Sequence, residues 1–228
     1  MKQNMIIVGG SKGGVGKSMV SLALLDFYLE RGKKFVFVET DTSNPDVGMN
    51  YQAALGERMR TAALDTKDGW LQLIDNIEAA DGADLIVNTG ARTNDGIARF
   101  GGMVNDLARD GLFALITLWP INRQIDSVRL LKNYMATMSE SEIFVLKNLY
   151  FGTPEKFELY DHSNTKKIID EKWRDFDFPN LADRVSDIII TDRMTIAEAM
   201  TMMTLGNRVE LKRWRDACAE IFKTIFGE

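Results

Sequence analysis

The chain has 228 residues, 45% of them hydrophobic and 27% charged, with a formal charge of −5. That composition suits one folded domain over residues 1–228, excludes global disorder, and gives no overall positive field to attract nucleic acid. The single cysteine, Cys218, excludes a disulfide framework and a Cys-ligated zinc or iron–sulfur site within one chain.

In chain order, short apolar runs alternate with longer helical patterns. Met5–Val8 reads as a buried strand, too short for the apolar region of a signal peptide. Ser18–Arg31 reads as a helix that is apolar almost all round, stopped by Gly32-Lys33-Lys34. Phe35–Val38, Asp84–Asn88, Phe113–Leu118, Ile143–Lys147 and Asp187–Ile190 are further runs of strand length. Helical patterns fall near Gly69–Ala79, Ile97–Asp110, Ile125–Met138, Thr165–Arg174, Thr195–Met203 and Arg208–Phe226. The four prolines, Pro45, Pro120, Pro154 and Pro179, fall between these candidate elements. Repeated β-then-α predicts an α/β fold, a mainly parallel twisted sheet with helices on both faces. No apolar run approaches the roughly 20 residues of a membrane span. With one cysteine and no export signal, a cytoplasmic location is expected.

The strongest signal lies at the first strand-to-helix junction, Ser11-Lys12-Gly13-Gly14-Val15-Gly16-Lys17-Ser18. A phosphate-binding loop needs glycines that let consecutive backbone N–H groups turn onto a polyanion. It also needs a lysine for the β- and γ-phosphates and a hydroxyl for Mg²⁺. Lys17 and Ser18 fit those two roles, and the following helix adds its positive N-terminal end. The usual first glycine of such a loop is replaced by Ser11, with Gly10 beside it.

The string KGGVGKS resembles the deviant Walker A motif of the ParA/MinD family of P-loop ATPases. The resemblance implies a single-domain P-loop NTPase that binds ATP and Mg²⁺ along Ser11, Lys12, Gly13, Gly14, Val15, Gly16, Lys17, Ser18 and Met19. Lys12 stands at the family's signature lysine, which reaches across a nucleotide-sandwich dimer to the partner's phosphates. Met19 replaces a common threonine, leaving its backbone N–H to serve. Glu39-Thr40-Asp41 looks like the family's acidic-x-Asp pattern, in which the residue matched by Asp41 orients the attacking water close to Mg²⁺. Thr42-Ser43-Asn44-Pro45 supplies turn chemistry for a switch loop, and Asp46 is equally a turn-capping carboxylate. Asn88 stands where the family has the Walker B aspartate in the outer shell of Mg²⁺. An amide there removes one negative charge and implies slow turnover. Asn148, ending the run Ile143–Lys147, resembles the family's asparagine that reads the adenine edge.

The implied activity is an ATP-dependent dimerisation switch with slow hydrolysis, with Lys12, Lys17 and Asp41 as catalytic residues and Ser18, Asp41 and Asn88 at the metal. In the family such switches position plasmids, chromosomes, division proteins or conjugation machinery. The implied partners are a second copy with ATP and an activating or adaptor protein, with nonspecific DNA as a further candidate. Leu211, Trp214, Cys218, Ile221, Phe222 and Ile225 share one helical face, read as docked on the domain in preference to a membrane anchor. Arg208, Lys212, Arg213 and Arg215 are basic but interspersed with acids. The aromatic and charged stretch 152–179 is read as an inserted element contacting a partner. His162, the only histidine, offers no triad or metal site and is expected at the surface. The alternatives are a dethiobiotin synthetase-like ligase on the same scaffold and a nucleotide-binding module with little hydrolysis.

Overall fold

In the computed structural model, which describes residues 2–10, 13–42, 44–90 and 93–228, seven strands form one parallel sheet in the order β3-β2-β4-β1-β5-β6-β7. The elements run β1 (Asn4–Val8), α1 (Lys17–Glu30), β2 (Phe35–Glu39), α2 (Asp46–Leu55), β3 (Met59–Thr61), α3 (Lys67–Ala79), β4 (Asp84–Asn88) and α4 (Thr93–Arg109). They continue through β5 (Ala114–Ile121), α5 (Ile125–Thr137), β6 (Glu142–Asn148), α6 (Glu158–Asp161), α7 (Asn164–Lys172), β7 (Arg174–Phe178), α8 (Asp183–Thr191), α9 (Ile196–Met202) and α10 (Leu205–Phe226). The expected α/β class with helices on both faces is what is found. No helix among the described residues is long and apolar enough to cross a membrane.

The two faces of the sheet carry separate cores. Ile6 and Val8 of β1 join the side chains of α1, α2, α8, α9 and α10. Met5 and Ile7 point the other way, into a core shared with α3, α4, α5, α6 and α7. The helix α1 is apolar all round because the sheet covers one side and α2, α9 and α10 close the others. From β1 the chain crosses to β2 on one side, and from β4 it crosses to β5 on the other. The C-terminal ends of β1 and β4 therefore flank the switch point where a parallel sheet opens a crevice.

Three expectations are corrected. Asp187–Ile190 belongs to the helix α8, in which Val185 and Ile189 are buried at a four-residue spacing while Ile190 faces out. Pro120 lies inside β5 rather than between elements. The Leu118 carbonyl accepts from Gly9 N–H at 3.0 Å, so Pro120, two residues on, turns its missing N–H to the side where β1 has ended. The stretch 152–179 is part of the domain. Phe157, Tyr160 and Ile169 are buried in one core, and β7 pairs with β6 as the sheet's edge strand.

Candidate nucleotide site

A cleft of about 580 Å³ opens at the switch point. Its floor is the loop between β1 and α1, with Gly13, Gly14, Gly16, Lys17, Ser18 and Met19 lining it, and Asp41, Asn88 and Asn148 standing around it. The expected site residues thus converge from the ends of four strands. Ser11 and Lys12 of the loop, and Ser43 of the expected switch segment, lie outside the described residues.

The loop's geometry follows from its glycines. Gly16, at the N-cap of α1, has φ of 105°, a left-handed conformation that side chains resist. A Cβ there would also stand 2.3 Å from Asn148 Nδ2. Gly10 takes up the close approach expected of the loop's missing first glycine, since a Cβ there would meet Lys17 Cγ and Val15 Cγ2 at 2.9 Å. Lys17 is only 8% exposed, and burial lowers its ammonium pKa while the Asp41 carboxylate works to raise it. Burial makes the charged form of Lys17 costly, and a polyanion bound beside it would favour that form.

Asp41 lines the cleft, and its Oδ1 accepts the Asn44 N–H at 3.0 Å, so it shapes its own turn as well. Asp46 accepts from Asn44 Nδ2 at 2.6 Å in the first turn of α2, as a turn-capping carboxylate does. Glu39 is 1% exposed. Its Oε1 accepts from Asn88 Nδ2 at 2.9 Å and Asp41 N–H at 3.0 Å, and its Oε2 from Gly48 N–H at 3.2 Å. Burial pushes its carboxyl up to about 7 against these three donors, which favour the anion. Asn88 is 4% exposed and accepts from Ser21 Oγ at 2.8 Å. Asn148 donates from Nδ2 to the Val15 carbonyl at 3.0 Å and accepts from Tyr150 N–H at 3.1 Å, tying β6 to the phosphate loop.

The far wall had no sequence expectation. Phe178, Pro179, Leu181, Ile190 and Trp214 complete the cleft, with Trp214 Nε1 donating to the Pro179 carbonyl at 2.9 Å. The alternation in Arg174-Asp175-Phe176-Asp177-Phe178, ended by Pro179, is the signal of a half-buried edge strand leading into that wall.

The face of α10 bearing Leu211, Trp214, Cys218 and Phe222 is buried in the core, as the docked reading required. Arg215 pairs with Asp26, Lys212 with Asp216 and Arg213 with Glu210, so the basic cluster is largely neutralised in place. His162 is exposed, as expected. No group of three His, Cys, Asp or Glu side chains that could hold a metal occurs among the described residues. A Mg²⁺ site completed by nucleotide phosphates and water needs only one or two side chains, and the Ser18 hydroxyl and Asp41 carboxylate on the cleft wall fit that demand.

A glycine loop from β1 to α1 at the switch point of a seven-stranded parallel sheet, with an acidic strand end beside it, defines the P-loop NTPase fold. The CobQ/CobB/MinD/ParA nucleotide binding domain matches residues 6–156, and the chain belongs to this family. Protein MobD of Acidithiobacillus ferrooxidans is 38% identical over 229 residues, spanning all of both chains. The MinD cell division protein of Aquifex aeolicus shares the fold with a TM-score of 0.57 at 12% identity, over 99% of this chain and 98% of that one. A protein of Borrelia burgdorferi B31 described as a plasmid partition protein, solved bound to AMPPNP, gives a TM-score of 0.60 at 13% identity, over 98% and 99% of the two chains.

Proposed function

We propose that this protein is an ATP-dependent dimerisation switch with slow hydrolysis, working in plasmid partition or mobilisation from the cytoplasm. The observation that carries the reading is the cleft itself, where Lys17, Ser18 and Asp41 meet over a glycine-lined loop. The whole-length likeness to MobD and the shared fold of the Borrelia protein support the cellular setting.

In this reading the loop amides and Lys17 grip the triphosphate, and Asp41 orients the attacking water. Bound Mg²⁺ supplies charge neutralisation on the phosphate oxygens. Ser18 and Asp41 would hold it, with Asn88 beside them on the cleft wall. Asn148, on the cleft wall, would read the base. Lys12 extends to the nucleotide of a second copy, so that closure and turnover are one event, and hydrolysis reopens the pair. The engagement of Asn88 with Ser21 and Glu39 supports slow over fast turnover, since both its amide atoms are already bonded within the protein.

The test is size-exclusion chromatography with light scattering in ADP and in ATP, with and without nonspecific duplex DNA, beside phosphate release. A dimer formed only with ATP is expected. Asp41→Ala is expected to abolish turnover and Lys12→Ala to abolish both dimer and turnover. A monomer in every nucleotide state overturns the reading. Stimulation of turnover by a small acid or amine, and not by DNA or protein, would favour a ligase.

A further inference from the structure

Beneath the cleft, three buried polar side chains from three elements form one line of hydrogen bonds. Ser21 sits on α1, three residues beyond Ser18, and its Oγ donates to Asn88 Oδ1 at 2.8 Å. Asn88 Nδ2, at the end of β4, donates to Glu39 Oε1 at 2.9 Å. The Glu39 carboxylate then takes the backbone N–H of Asp41 on one oxygen and that of Gly48 on the other. The three side chains are 0%, 4% and 1% exposed.

Glu39 therefore clasps the segment between β2 and α2 at both its ends. Gly48 is the third residue of α2, and its N–H is one of the orphan donors of a helix start. Pro45, at the N-cap, has no side-chain acceptor, so the carboxylate from β2 caps the helix instead. Asp41 is fixed through its own amide by the same group. The position of the water-orienting carboxylate is thereby set by a residue that does not line the cleft.

We infer that Glu39 is the positioning residue for Asp41, and that the Asn88 amide links Ser21 to Glu39 whichever protonation state Glu39 holds, as an ionised aspartate would not. The middle group must accept a hydrogen bond from a hydroxyl on one side and donate one to a carboxylate on the other. Asparagine does both, whereas an aspartate only accepts when ionised. An aspartate in place of Asn88 would also set two carboxylates at hydrogen-bond distance in the interior, where like charges repel strongly. The carboxyl group that a Walker B aspartate would place at the end of β4 stands instead on β2, at Glu39. A path of direct contacts thus runs from the helix behind the phosphate loop to the segment bearing Asp41. Its role in turnover rests on the nucleotide-switch reading, whereas the placement of Asp41 does not.

The experiment is a cycle of Glu39→Gln, Asn88→Asp and the double variant, with Ser21→Ala as a gentler fourth. Amide hydrogen exchange at Asp41 and Gly48 is read by NMR, with kcat and KM for ATP measured beside it. Asn88→Asp is expected to speed exchange at both amides about tenfold and to lower kcat about tenfold with KM little changed. In the double variant the amide introduced on β2 donates to the carboxylate introduced on β4, and exchange returns to within about threefold of Glu39→Gln alone. Ser21→Ala is expected to raise exchange at Asp41 and Gly48 about threefold, which keeps the test alive should Asn88→Asp fail to fold. Additive damage in the double variant, or exchange unmoved by Ser21→Ala, overturns the inference. If wild-type protein neither binds nor hydrolyses ATP, the proposed function falls, while the exchange data still decide whether Glu39 holds Asp41.

Discussion

Gly16→Ala tests the geometry of the phosphate loop directly. Two costs are visible. The residue has φ of 105°, and forcing a side chain into left-handed backbone costs about 1–2 kcal/mol. The new Cβ would lie 2.3 Å from Asn148 Nδ2, so Asn148 must move and lose its bonds to the Val15 carbonyl and the Tyr150 N–H. Two interior hydrogen bonds contribute about 1 kcal/mol each, for a total of about 3–4 kcal/mol. Asn148→Ala alone forfeits only the bonds, about 2 kcal/mol. In the double variant the obstruction is gone and the bonds are already lost, so only the backbone cost is added. Urea unfolding should therefore place the double variant level with Gly16→Ala, about 3–4 kcal/mol below wild type. An additive result of about 5–6 kcal/mol would refute the reasoning, because it would mean that the two residues do not share one space.

Arg215→Ala should cost about 3–5 kcal/mol in urea unfolding, because Asp26, with its side chain 6% exposed, is left as a buried charge without its partner. Asp26→Leu/Arg215→Met should be markedly less destabilised, and equal losses would argue against the pair. Phe222→Ala should cost about 3–5 kcal/mol, since Phe222 is fully buried with its ring 5.4 Å from that of Phe27; a loss below about 1 kcal/mol would mean that α10 is undocked in solution. Glu39 sets a pH dependence. Its carboxyl is raised from 4.5 to about 7, so between those values the folded state binds more protons than the unfolded one. Stability from this group is therefore greatest below pH 4.5 and is lost as pH rises through 7. Relative to wild type, Glu39→Gln should gain on the order of 3 kcal/mol between pH 4.5 and 8, and parallel pH profiles would sink this assignment.

Much of the fold is legible in the sequence because buried parallel strands read as unbroken apolar runs. Asp84–Asn88 reads at its true bounds, and four other strands within a few residues. The misses have physical causes. The three residues of β3, Met59–Thr61, are too few to show a period. In β7 the period-2 alternation is short and runs on directly from α7, so the helical reading over Thr165–Arg174 reaches into it. Ile188-Ile189-Ile190 resembles a strand locally, and only the four-residue spacing of Val185 and Ile189 marks it as helix. At the site, the loop and acidic strand end are readable because their chemistry is local in sequence. The far wall is not, since Pro179 and Trp214 meet only through the packing of α10. Asn88 is legible as a lost charge, but its bonds to Ser21 and Glu39 join positions 67 and 49 residues away.

The dependence of α1 on α10 has a consequence for biosynthesis. Phe27 and Tyr28 of the first helix rest against Phe222 and Phe226, and Asp26 is paired by Arg215. A ribosome makes that helix early and its cover nearly two hundred residues later. Until α10 emerges, the side of α1 that it covers stays open to chaperones and to neighbouring chains. A premature stop anywhere before α10 leaves it so permanently, and such fragments should be cleared or aggregate instead of persisting as folded ATP-binding remnants.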